Sequence, residues 1–118
     1  MIRSDYNYLM EKYSTLIYGL TIGRGNIKAR LKENTVFLHM TFSLEFPEEL
    51  QIQKEEIIMR LTKFPAIIKN NEIVISSYDV TISKCRYNTV VELTKLIANL
   101  YLDLSNLKKS SAETILKL

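Results

Sequence analysis

Residues 15–46 read TLIYGLTIGRGNIKARLKENTVFLHMTFSLEF, and the period assigned to their apolar residues decides the fold. With a period of two, Leu16, Tyr18, Leu20 and Ile22 share one face and Ile27, Ala29 and Leu31 a second. Val36, Leu38, Met40, Phe42, Leu44 and Phe46 share a third. A two-residue turn at Arg24-Gly25 sets Ile22 opposite Ile27, Leu20 opposite Ala29 and Tyr18 opposite Leu31. A second turn at Glu33-Asn34 sets Leu31 opposite Val36, Ala29 opposite Leu38 and Ile27 opposite Met40. A slip of one residue would turn every side chain to the wrong face, so two turns that align the same faces predict a three-stranded antiparallel meander.

Upstream, residues 4–14 have Tyr6, Leu9, Met10 and Tyr13 at helical spacing, with Ser4 as the expected cap. Downstream, Pro47 and the acids Glu48, Glu49, Glu55 and Glu56 open a helix that should end near Phe64, just before Pro65. Its buried side is Ile57, Ile58, Leu61 and Phe64, and Glu56 is spaced to pair with Arg60. Residues 66–68 and 72–77 flank Asn70-Asn71, a good hairpin turn because asparagine tolerates positive φ. Val74, Tyr78, Val80 and Ile82 keep the period of two, which extends the second strand to Ser83.

Residues 88–109 carry Val90, Leu93, Ile97, Leu100, Leu104 and Leu107 in steps of three and four, the stripe of a long helix. Thr89 and Glu92 read as a capping box, Lys108 and Lys109 suit the negative end of the helix dipole, and residues 110–118 add a last turn. The expected order is α-β-β-β-α-β-β-α: a single α+β domain over residues 1–118, an antiparallel meander and hairpin with helices packed on one face.

The composition is that of a folding globular chain: 118 residues, 47% hydrophobic and 25% charged. A net charge of +3 from 16 basic and 13 acidic residues permits nucleic-acid contact without implying it. Cys85 is the sole cysteine, so no disulfide forms within the chain, and with one histidine, His39, no zinc site of the usual Cys and His type is expected. The start, MIRSDYNYLMEKY, lacks a signal-peptide pattern, and no apolar run approaches the length of a membrane span. A cytoplasmic protein is expected.

No motif points to catalysis, and no cofactor is expected. GLTIGRG lies inside an expected hairpin, without the Lys-Ser/Thr pair of a phosphate loop. His39 has no evident catalytic partner, and Cys85 before Arg86 reads as a half-buried cysteine at a strand end. The back of the meander presents Lys28, Arg30 and Lys32, with Arg24 beside them, interleaved with Phe37 and His39. That pattern suits either an RNA-binding sheet or a solvated face. Leu96, Tyr101 and Leu102 lie outside the main stripe of the last helix, so with Leu100 they are candidates for contact with a second copy or another protein.

In topology the chain, with hairpins around Arg24-Gly25 and Asn70-Asn71 and helices from Pro47 and Asn88, resembles the type III secretion chaperone fold and YbjN-like proteins. The resemblance implies a homodimer with grooves for a partner's extended segment. Residues 41–109, with FSLEFPEE, a helix, a hairpin and a last helix containing IANLYLDL, are similar to the small dimerising subunit of the KEOPS tRNA-modifying complex. Asn99, Tyr101 and Leu102 match that family's run, and Asp103 stands where it has a basic residue. The expected function is a non-enzymatic protein-interaction module, chaperone-like or adaptor-like and dimeric. RNA binding through the basic sheet face, or a role like that of the KEOPS subunit, is the alternative.

Overall fold

The computed structural model describes residues 3–116, with side chains from 5 to 109. It overturns the expected α-β-β-β-α-β-β-α order. The chain is 74% helix and 7% strand, with six helices and one two-stranded antiparallel sheet among the described residues. The meander is absent, and so is the sheet face on which helices were to pack. Of the elements in the likeness to secretion chaperones, the hairpin expected around Arg24-Gly25 is replaced by the turn between two helices.

Helix α1 spans Arg3–Ile22 and buries Leu9, Tyr13, Leu16 and Leu20, in steps of four, three and four. Its apolar stripe thus runs unbroken through the first expected strand, while Tyr18 and Ile22 lie exposed. The expected Ser4 cap lies outside the residues whose side chains are described. At Gly25 the backbone takes φ +81°, and the chain turns into a second helix rather than a strand. Asn26 caps α2 (Ile27–Glu33) by accepting from the Ala29 N–H at 3.0 Å. Asn34, expected in a hairpin turn, joins α2 directly to α3 (Thr35–Phe42). Leu31, Leu38 and Phe42 enter the core, and Val36 and Met40, expected to be buried, are exposed.

After Pro47 a 3-10 turn (Glu48–Leu50) leads into α4 (Gln51–Leu61), which buries Ile57 and Leu61. The expected Glu56–Arg60 pair forms at 3.0 Å. Lys54 lies along the core side of α4, its Nζ donating to the Leu44 carbonyl at 2.7 Å above the Phe46 ring. Burial lowers its pKa from the ordinary lysine value, against the opposite pull of Glu55 and Glu45.

The hairpin turn is where the sequence places it. Strands β1 (Ile67–Lys69) and β2 (Glu72–Ile75) pair antiparallel about Asn70 and Asn71, whose φ angles are 53° and 63°. The second strand ends at Ile75. The Ser76 side chain accepts from the Asp79 N–H at 3.2 Å and starts α5 (Ser77–Lys84), so Tyr78, Val80 and Ile82 are buried from a helix.

Helix α6, Tyr87–Leu116, extends past the expected end and would be about 45 Å long at the standard rise. Val90, Leu93, Ile97, Leu100 and Leu104 are its buried seam, packed against α1, α2 and α4. The radius of gyration, 15.6 Å, exceeds the value of about 13.5 Å for a compact chain of this length. No helix among the described residues is long and apolar enough to cross a membrane.

Candidate interaction surfaces

The helical reading of residues 15–46 consumes much of the apolar surface that sequence alone leaves over. Leu100 is fully buried in the core. Leu96 and Tyr101 are half-buried against it. The Tyr101 hydroxyl lies 2.9 Å from the Ser14 hydroxyl and its ring centroid 5.2 Å from that of Tyr13, so this side chain is engaged with α1. Of the four candidate contacts on the last helix, Leu102 alone is open, at 57% exposure.

The basic residues expected on a sheet face are dispersed instead. The Lys28 ammonium donates to the Ser83 and Cys85 carbonyls at 3.1 and 2.7 Å, capping the end of α5. Arg30 donates to the Leu20 and Gly25 carbonyls at 3.0 and 3.1 Å, closing the end of α1. Both charges face helix C-termini, where the dipole favours a cation. Lys32 is exposed, Phe37 packs against the core, and the His39 ring meets Tyr78 edge-on at 4.2 Å.

A different set of cations does converge. Arg60 at the end of α4, Lys63 and Phe64 beyond it, Lys84 at the end of α5, Cys85 and Arg86 in the link, and Thr89 and Glu92 on α6 line a cleft of about 390 Å³. The loop is latched to α5: the Phe64 N–H donates to Thr81 Oγ1 at 3.0 Å, and the Ser77 hydroxyl reaches the Thr62 and Phe64 carbonyls. The far wall is held by Lys28 on the Cys85 carbonyl. Lys63 and Lys84 place their ammonium groups 5.7 and 5.0 Å from the Phe64 ring centroid. Glu92, the one carboxylate in the lining, faces Lys95 at 3.4 Å. The cleft suits an anion. The sequence signal for it is two short runs of basic and aromatic residues at helix ends, Lys63-Phe64 and Lys84-Cys85-Arg86-Tyr87, which lie outside the alternating basic pattern of residues 28–32.

The hairpin is the other exception to ordinary burial. All of its residues are exposed, Ile68 to 62% and Ile73 to 69%, with Ile67, Val74 and Ile75 also open. It forms a two-stranded sheet, so the outer edge of each strand has no strand beside it among the described residues. The pairing is irregular between Ile67 and Ile68, and Lys69 faces Glu72 beside the turn. An open apolar edge is a template for pairing, and a two-stranded hairpin alone is marginal in water.

No group of three or more His, Cys, Asp or Glu side chains suited to a metal occurs among the described residues. No protein-family model, curated protein or solved structure matches the chain.

Proposed function

We propose that this chain is a non-enzymatic protein-interaction module that pairs with a second copy of itself through the β1–β2 hairpin. The observation that carries the proposal is a fully exposed hairpin with open edges that presents Ile67, Ile68, Ile73, Val74 and Ile75 to solvent. Antiparallel pairing of Glu72–Ile75 about a two-fold axis sets Glu72 opposite Ile75 and Ile73 opposite Val74, so no like charges meet. Two hairpins then make a four-stranded sheet, above the minimum that is stable in water. An adaptor or chaperone role for such a dimer, with Leu102 at the edge of a second contact, belongs to the same proposal.

Sedimentation velocity tests it. The parent chain should sediment as a dimer at micromolar concentration, and Ile73→Lys with Val74→Lys should give a monomer with unchanged helical circular dichroism. A parent chain that stays monomeric to about 100 μM, a range that covers the micromolar dissociation constants of ordinary weak dimers, overturns it. Leu100→Lys is unsuited to this test, because a charge at that fully buried site opposes folding rather than association.

A further inference from the structure

We infer that the cleft between the ends of α4 and α5 and the start of α6 binds single-stranded nucleic acid, with Arg60, Lys63, Lys84 and Arg86 on phosphates and Phe64 as a stacking surface. The first ground is charge. The lining holds four cations and one carboxylate, a local excess equal to the net charge of the whole chain, +3. Glu56 stands 3.0 Å from Arg60 just outside the lining, so Lys63, Lys84 and Arg86 are the cations that an anion in the cleft would neutralise.

The second ground is how that charge is held. Lys63 and Lys84 come from segments distant in sequence, yet both ammonium groups gather at one ring. Glu92 has its own cation outside the cleft in Lys95, and the partner of Arg60, Glu56, is not part of the lining. Like charges assembled in a concavity repel, and a polyanion relieves that repulsion. The first turn of α6 adds the positive end of a 30-residue helix beside Arg86.

The third ground is shape. A cleft of about 390 Å³ with a half-buried ring in its wall accepts a nucleotide or so of a single strand, which offers both phosphate and a base face. A duplex keeps its base faces stacked inside and offers only groove edges and backbone, so it meets only the rim.

Fluorescence anisotropy with a labelled twelve-nucleotide oligothymidylate tests the inference on the full chain. Contacts of the four cations to the seated nucleotide's phosphate and to those of its neighbours along the strand number up to four in all. They predict a log–log salt slope of up to about −3, which weakens binding by up to about 50-fold between 50 and 200 mM salt. Lys63→Glu with Arg86→Glu should reduce affinity more than tenfold. The same change of net charge at Lys12→Glu with Lys32→Glu should reduce it less than threefold. Phe64→Leu, which keeps an apolar side chain at the site, should cost about fivefold or more while the salt slope holds.

No binding at 20 mM salt, equal losses in the two charge-reversal pairs, or a matching duplex bound as tightly as the single strand each overturn the inference. A mononucleotide that competes as well as the oligomer does the same. The Ile73→Lys, Val74→Lys variant leaves the cleft intact, so the result is independent of the dimer proposal.

Discussion

Tyr13 on α1 donates its phenolic hydrogen to the backbone carbonyl of Ile97, in the middle of α6. Its ring also meets Phe42, Phe46 and Tyr101 at centroid distances of 5.8, 6.2 and 5.2 Å, so one side chain joins the first helix, the third and the last. Tyr13→Phe keeps those ring contacts and removes the hydroxyl. A loss of about 1 kcal/mol in urea unfolding is expected, against about 3–5 kcal/mol for Tyr13→Ala.

Burial raises the Tyr13 pKa above its ordinary value of 10.0, and it also raises that of Tyr78. Above pH 10 the unfolded chain loses protons that the folded chain keeps, so stability is complete below that pH and falls as pH rises beyond it. Urea midpoints measured between pH 9 and 11 should drop in the parent and drop less steeply in Tyr13→Phe.

That tyrosine also marks where the fold was legible. Tyr6, Leu9 and Tyr13 announce a helix, and Leu16 and Leu20 continue the same stripe. The stretch after Ser14 is so rich in apolar residues that a period of two fits it as well, and Leu16 and Leu20 satisfy both. Exposure of Tyr18, Ile22, Val36 and Met40 decides for the helix, and exposure is a tertiary fact that local pattern does not contain. The Asn70-Asn71 hairpin and the seam from Val90 to Leu104 were readable because each has one strong local cause, a turn dipeptide in the first and a long unambiguous period in the second. The basic cleft was not, since Lys63 and Lys84 meet only through the packing of α4 against α5.

Gly19 lets the connection between α2 and α3 approach α1. A Cβ there would lie 2.1 Å from Asn34 Oδ1, and Asn34 is itself held by donating to the Arg30 carbonyl at 2.7 Å. Gly19→Ala gains helix propensity of up to about 1 kcal/mol but must displace that side chain, for a net loss of about 1–2 kcal/mol. In an Asn34→Ala background the same change should be neutral or stabilising. Urea unfolding of the four proteins in this cycle measures the coupling, and simple additivity would show that the two residues do not contend for one space.

Thr41 is fully buried on α3, and its hydroxyl finds no hydrogen-bond partner among the described residues. Burying an unpaired hydroxyl costs free energy that a methyl group does not. Thr41→Val should therefore raise stability by about 1 kcal/mol in chemical denaturation. A loss of that size would mean that the hydroxyl is bonded to an ordered water.

Lys28 is a strut for the cleft rather than a ligand in it. Its ammonium is bound to the Ser83 and Cys85 carbonyls, on either side of Lys84 in sequence and next to Arg86. Lys28→Met keeps most of the aliphatic stem and leaves those carbonyls to water, which should cost about 1 kcal/mol in urea unfolding measured without nucleic acid. A phosphate-binding lysine behaves in the opposite way, since its removal leaves the free protein's stability unchanged and lowers the salt slope of binding by about 0.7. Measuring both quantities on Lys28→Met separates the roles: lower stability with an unchanged salt slope is expected, and the reverse would return Lys28 to the binding surface.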